Sequence, residues 1–439
     1  MDSFMEQYQK AGKVMPGGVN SSVRFSKARG VPMYVSKARG SKIYDLDNVE
    51  YIDMCCAHGA GLLGNAHPAI DEALRRTMEI GYANSFETIY HEELARKLCS
   101  VIPCADMIRF VGSGSEATLH LIRVCRAYTG KKKIIRMEGH FHGYHEMIYI
   151  GGQPPKEAFP ENRAHPFIES PGIPEEFADL IVPVPFNDQA ALDQAIEKHG
   201  AETAMVILEP VNFNSGGIRP EPGFLEHVRE VTRREGILLF FDEVQSCFKT
   251  CLGGAQQAYH VTPDVCTIGK AIGGGFPLSA FCGREDIMRR VKPAGDVQHS
   301  GTFNAHLISV MTGLAFMDEA LKPDFYPKLE ALTARLENGI NAIISRLNLN
   351  MVVPFHGPRF NIVFGRRLPP VRYEETFTHD PATMFRFLRD TFAKGVYFHD
   401  YNGGPAHHGF SIQHTEADID QVLSVLEDVL AAMKKDHQV

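Results

Sequence analysis

Gly236-Ile-Leu-Leu-Phe-Phe-Asp-Glu-Val-Gln245, followed about twenty residues later by Pro263-Asp-Val-Cys-Thr-Ile-Gly-Lys-Ala-Ile-Gly-Gly-Gly275, is the stretch from which the fold is read. Ile237 to Phe241 is a short, wholly apolar run, which suits a strand buried on both faces of a parallel sheet. It stops at Asp242, placing a carboxylate at the strand's carboxyl end, where open α/β sheets bind ligands. Val265 to Ile268 reads as a second strand, ending at Lys270 before a glycine triplet that lets a ligand approach the backbone. One acid and one amine thus stand at neighbouring strand tips. Lysine forms Schiff bases with carbonyl cofactors, and pyridoxal phosphate needs an acid for its pyridinium nitrogen. Taken alone, the pair fits a turn-capping aspartate and a solvated lysine equally well.

Working outward, helix and strand signals alternate to about residue 310, as in a domain built on a mostly parallel sheet. Pro68 to Ile80 reads as a helix with proline in its first turn and Gly81 as its stop. Ahead of it lie an amphipathic helix, a turn-rich loop from Met15 to Arg24, strand-like pieces at Met33–Val35 and Lys42–Asp45, a turn at Asp47-Asn48, and Tyr51 to Met54. Behind it come a long helix over 327–347, strands near Phe360–Phe364 and Gly409–Gln413, and a closing helix from Thr415. The expected division is an N-terminal segment over 1–57, a large α/β domain over 58–318 and an α+β part over 319–439.

Composition excludes several function classes. The 439 residues can bury a large core, and 44% apolar with 22% charged residues is ordinary for a globular protein. A net charge of −8 argues against a nucleic-acid binder, and Lys131 to Lys133 is too short to reverse it. No apolar run reaches the length of a membrane span, and the polar N-terminus lacks a signal-peptide pattern, so the expected location is the cytoplasm. The nine cysteines include no Cys-x-x-Cys pair, which points to reduced thiols.

Met107-Ile-Arg-Phe-Val-Gly-Ser-Gly-Ser-Glu-Ala117 reads as a strand, a Gly/Ser turn and a helix start. Its backbone N–H groups and the hydroxyls of Ser113 and Ser115 make a phosphate cup. Gly112-x-Gly114-x-x-Ala117 also matches the dinucleotide fingerprint, with Glu138 near the place of a ribose-binding acid, so an NAD-dependent oxidoreductase is the rival reading. That rival has no use for Asp242 and Lys270. Glu138 to Glu146 gathers His140, His142 and His145, either as metal ligands or as rings that stack on a flat cofactor. Met205 to Leu208 is another buried strand, ending at Glu209, with Asn212, Asn214 and Ser215 on the loop beyond. His299 to Asn304 is a polar loop whose hydroxyls could reach a phosphate.

Together these motifs resemble the class III pyridoxal-phosphate aminotransferases of fold type I, in particular their glutamate-1-semialdehyde aminomutase-like branch. The resemblance runs from Pro16-Gly-Gly-Val-Asn-Ser21 to His414-Thr-Glu-Ala-Asp-Ile-Asp420. It implies a mostly parallel seven-stranded sheet domain with a smaller α+β lobe drawn from both termini, and a homodimer with shared active sites. Lys270 would carry the pyridoxal 5′-phosphate as an aldimine, and Asp242 would pair with the ring nitrogen. Ser113, Gly114 and Ser115 would hold the phosphate, joined by Thr302 from the partner subunit; Phe141 would stack on the ring where the family has a tyrosine. His142, Glu209, Asn214 and Gln245 complete the implied cofactor surroundings. Arg24, with Ser21 beside it, stands at the family's substrate-carboxylate position, and Arg359 is a second candidate. His58 stands where an aminomutase has tryptophan, His407 where it has an acid, and Gln245 where it has methionine. These departures favour an aminotransferase moving an amino group between a carboxylated amine, β-amino acids included, and a 2-oxo acid. The alternatives are an aminomutase and a catalytically silent homologue.

Overall fold

The computed structural model describes residues 2–82, 85–436 and 439. Seven strands, numbered here along the chain, form the central sheet: β1 (Met107–Val111), β2 (Lys133–Met137), β3 (Ile181–Val184), β4 (Thr203–Leu208), β5 (Leu238–Glu243), β6 (Val265–Ile268) and β7 (Ser279–Gly283). Their spatial order is β1-β7-β6-β5-β4-β2-β3. β2 to β6 run parallel, and β7 lies antiparallel between β1 and β6. The sheet is mostly parallel because helical crossovers separate its strands in sequence. Helices therefore cover both faces, and every residue of β4 to β7 is buried. Phe240, Phe241 and Phe281 show no exposure, and each such ring contributes roughly 2–3 kcal/mol of burial.

β5 runs to Glu243, so Asp242 lies inside the strand and not just beyond it. Extended geometry then sends Asp242 and Glu243 to opposite faces, giving two adjacent carboxylates different surroundings. The helix Gly114–Thr129 opens on Ser113, whose Oγ accepts the Glu116 N–H at 3.3 Å, and closes on Gly130 at φ +70°. Both ends follow ordinary capping chemistry.

Near the N-terminus, Val35–Arg39, Lys42–Asp45 and Glu50–Asp53 form an antiparallel set, and Val396–Tyr397 adds in parallel to its inner edge. Both chain ends therefore supply strands to one small sheet. The first strand lies beyond the Met33–Val35 expected from its apolar residues. It is an exposed edge strand, positioned by the tight turn at Gly40-Ser41, where Gly40 takes φ +60°. Apolar patterning carries little information about such a strand.

The expected Phe360–Phe364 strand is two strands. Arg359–Asn361 pairs with Phe355–His356 and His407–Gly409, whereas Val363–Phe364 pairs with Met351–Val352. The ladder ends at Gly409, short of the expected Gly409–Gln413 strand, because the Phe410 and Ile412 N–H groups turn to the carbonyls of Pro358 and Leu62. The long helix Phe325–Leu347 packs against the closing helix Glu416–Lys435. No helix among the described residues is long and apolar enough to cross a membrane.

Candidate active site

The carboxyl ends of β4, β5 and β6 and the Gly112–Ser115 turn after β1 meet around a cavity of about 400 Å³. Asp242 points into it. Its Oδ2 lies 2.9 Å from His142 Nδ1, and its Oδ1 accepts the Thr267 hydroxyl at 3.0 Å and the Val244 N–H at 3.2 Å. Three polar partners around one buried oxygen pair fix the orientation of this carboxylate. Glu243 faces away, accepting Ser246 Oγ at 2.8 Å and the Ala255 N–H at 2.6 Å, and burial pushes it up to about 7.

Lys270 follows β6 through Gly269, where a Cβ would stand 2.5 Å from Ser279 Oγ, so only glycine fits. Lys270 itself adopts φ +51°, a costly conformation for a side-chain-bearing residue. Burial drives its amine down to about 8, against the opposing pull of Glu209 and Asp242, and Arg359 adds to the lowering. A buried amine poised near neutrality is a nucleophile and a proton carrier, which an exposed lysine is not.

Glu209 closes the third side. Its carboxylate accepts the Phe141 N–H at 2.8 Å and Asn214 Nδ2 at 2.9 Å, and burial with the nearby Asp242 charge raises it to about 8. Opposite, the start of the helix Gly114–Thr129 presents free N–H groups to the cavity. A Cβ on Gly114 would press on both Val244 methyls at 3.2 Å, and one on Gly143 would meet Ser115 Oγ at 2.8 Å, so the cup is built from backbone. Phe141 lines the same cavity.

The structure thus brings together Ser113, Gly114, Ser115, Phe141, His142, Glu209, Asn214, Asp242, Gln245 and Lys270. Among the described residues the histidines of 138–146 do not converge as a metal-ligating group, and each has one ring nitrogen engaged elsewhere. His140 Nδ1 accepts the Glu209 N–H at 2.9 Å, His142 serves Asp242, and His145 Nε2 lies 3.1 Å from Thr118 Oγ1. Glu138, offered above as a ribose acid, is buried and paired with Arg163 at 2.9 Å.

The remaining candidates stand apart from the cavity lining. Arg24 is exposed in a neighbouring cleft with Tyr34, Tyr397 and His399, and half-buried Ser21 makes no capping bond there. Thr302 is exposed and does not reach the cavity of its own chain. His58 Nδ1 lies 2.7 Å from Tyr401 Oη, and burial lowers it to about 3. Arg359 is 1% exposed; its Nη1 donates to Cys55 O at 3.0 Å and its Nη2 to His407 Nδ1. Its Nε has no hydrogen-bond partner. Lys249 was not legible in advance. Its amine is buried without a partner, and burial, with Lys270 and Arg359 close by, holds it well below the usual lysine range. Its only sequence signal is its place seven residues after Asp242. Thr267 was missed too, because it is the inter-strand register, with Asp242 opposite Thr267, that puts its hydroxyl on the aspartate.

The pattern of the family described as Aminotransferase class-III matches residues 25–357. The chain belongs to this family. It is 39% identical over 390 residues to a glutamate-1-semialdehyde 2,1-aminomutase of Methanobrevibacter smithii, spanning 89% of each chain. Among solved structures it is similar to an omega-transaminase from Sphaerobacter thermophilus, with TM-score 0.90, 28% identity, and 99% and 98% of the two chains covered. A β-phenylalanine aminotransferase from Variovorax paradoxus superposes with TM-score 0.85 at 26% identity, covering 99% and 95%. The class III membership makes this a pyridoxal-phosphate enzyme. The cavity fits that cofactor on its own terms. It offers a backbone cup at a helix start, a buried acid and a buried amine. Both polar atoms of the Gln245 amide and the Nε2 of His142 are buried there without partners, ready for a polar ligand.

Proposed function

We propose that the protein is an aminotransferase that exchanges an amino group between a carboxylated amine, β-amino acids included, and a 2-oxo acid. The observation that carries this reading is the wall beside Lys270. Half-buried His58 and buried His407 stand near Lys270, just outside the cavity lining, as neutral imidazoles, and His407 is spent on Arg359. An aminomutase must retain its doubly aminated intermediate through matched polar contacts in a closed pocket. Neutral rings at these two positions supply no carboxylate to hold a second ammonium group.

When bound, pyridoxal phosphate supplies an electron sink for the carbanion at the substrate carbon. The chain's residues do the rest. Gly114 and Ser115 N–H groups bind the phosphate, and Asp242, steadied by His142 and Thr267, holds positive charge at the ring nitrogen. Lys270 takes up and returns a proton at its Nζ, which its lowered basicity permits near neutral pH. The test is a half-reaction without acceptor. A carboxylated donor should release its carbonyl product stoichiometrically with sites. Isomerisation of glutamate 1-semialdehyde with no released product would instead establish the aminomutase reading, which the 39% identity to an aminomutase keeps in play.

Arg24, at the rim, and Arg359, deeper in, are proposed to bind the substrate carboxylate. Arg24→Ala is expected to raise KM for a carboxylated donor by about 10- to 100-fold, the range a charged hydrogen bond supplies. A donor without a carboxylate should be unaffected. Equal effects on both would remove Arg24 and leave Arg359 as the carboxylate residue.

The homodimer is proposed with the Thr302 loop completing the partner's phosphate site. Exposed Phe303, at 67%, together with Tyr82, Phe86 and Ile89, supports an interface around this loop. Ultracentrifugation that finds an active monomer would exclude it.

A further inference from the structure

Three cysteines outside the active site converge behind the sheet. Cys104 lies in the turn before β1, Cys266 in the middle of β6 and Cys282 in β7. β7 lies between the other two strands, and Cys266 and Cys282 are direct register partners across the β6–β7 pair. All three sulfurs lie within 4.8 Å of one another, with Cys266 and Cys282 Sγ atoms 3.2 Å apart, and none forms a disulfide. Cys125 and Cys247 are equally buried but join no such group among the described residues, so convergence is not a general result of burying thiols here.

We propose that Cys104, Cys266 and Cys282 form a thiolate site for one soft, closed-shell cation, with Cu(I) the best match to the donors. With metal–sulfur bonds of about 2.3 Å, a trigonal ion would hold its three sulfurs about 4.0 Å apart. The observed triangle accommodates that spacing once the Cys266–Cys282 pair opens by under an ångström. The donor set is all sulfur, which selects soft ions. Structural zinc takes four ligands, and among the described residues only these three converge. Glu243 acts on Cys104 electrostatically, but its oxygens are occupied by Ser246, Ala255 and both nitrogens of Gln256. Gln256 Oε1 is occupied by the Cys104 N–H at 2.9 Å, while its Nε2 lies 3.7 Å from Cys266 Sγ, a donor that supports a thiolate. An entry path exists, because Cys104 lines a surface cavity of about 410 Å³ that also contains Asp106, Asp264, Arg229 and Arg284. The site is independent of which amino donor the enzyme uses.

The test titrates the reduced holoenzyme, under anaerobic conditions, with Cu(I) held by a chromogenic chelator. One equivalent per chain should leave the chelator, accompanied by ultraviolet sulfur-to-copper absorption. Cys104→Ser and Cys282→Ser should each weaken that binding by more than the roughly 100-fold that a supporting change costs. Cys125→Ser should keep it. Each variant is first checked for the native melting profile; if Cys282→Ser fails to fold, Cys104→Ser in its turn decides. Full retention of copper by the chelator overturns the proposal, as does a Cys104→Ser variant that still withholds its equivalent.

Discussion

Lys270→Ala is expected to abolish amino transfer and leave the fold standing. The rate should fall by more than about 10⁴-fold, the upper range of a positioned acid–base group, since the variant also loses the amine of the cavity lining that can bond a carbonyl cofactor. Stability should hold or rise, because the native chain buries this amine at a cost that lowers it to about 8. Alanine removes that cost and inherits the same positive φ. Near-normal turnover with cofactor present would end the assignment. The native amine has its own signature in the cofactor-free enzyme. Only the neutral form attacks an aldehyde, and it predominates above its pKa, so uptake should rise with pH to a half-maximum near 8. A half-maximum near the ordinary lysine value of 10.5 would show that the amine is not buried as described.

Asp242→Asn has the second-largest expected effect. The cofactor should still bind, more weakly, while the proton-transfer step slows by about 10²–10⁴-fold. An amide carries no charge to hold a pyridinium, and its NH₂ would face His142 Nδ1 or the Thr267 hydroxyl, both placed as donors to Asp242. The mismatch should also cost about 1–3 kcal/mol of stability. Glu243→Gln is the control. Glu243 faces the Ser246–Ala255–Gln256 side, so its loss should lower stability and spare the chemistry. An unchanged rate in cofactor-loaded Asp242→Asn would remove the aspartate from its role.

The amino-acid sequence by itself determined the sheet, the turn and the placing of an acid and an amine at neighbouring strand tips. Runs such as Ile237–Phe241 and Val265–Ile268, ending in Asp242 and near Lys270, are local patterns, and strand direction makes a run's end a ligand site. The same locality explains the misplacements. Val35–Arg39 is an edge strand whose position depends on its neighbour, and the 360–364 segment divides because its halves find different partners. Only the tertiary structure decided that His142 serves Asp242 across a hundred residues, that Arg359 is buried against a main-chain carbonyl and an imidazole, that Lys249 lies beside Lys270, and that three scattered cysteines share one triangle. A side chain's partners, protonation and ligand capacity are set by every element packed around it. No window of neighbouring residues contains those elements, because the crossovers of a parallel sheet join strand tips that are far apart in the chain.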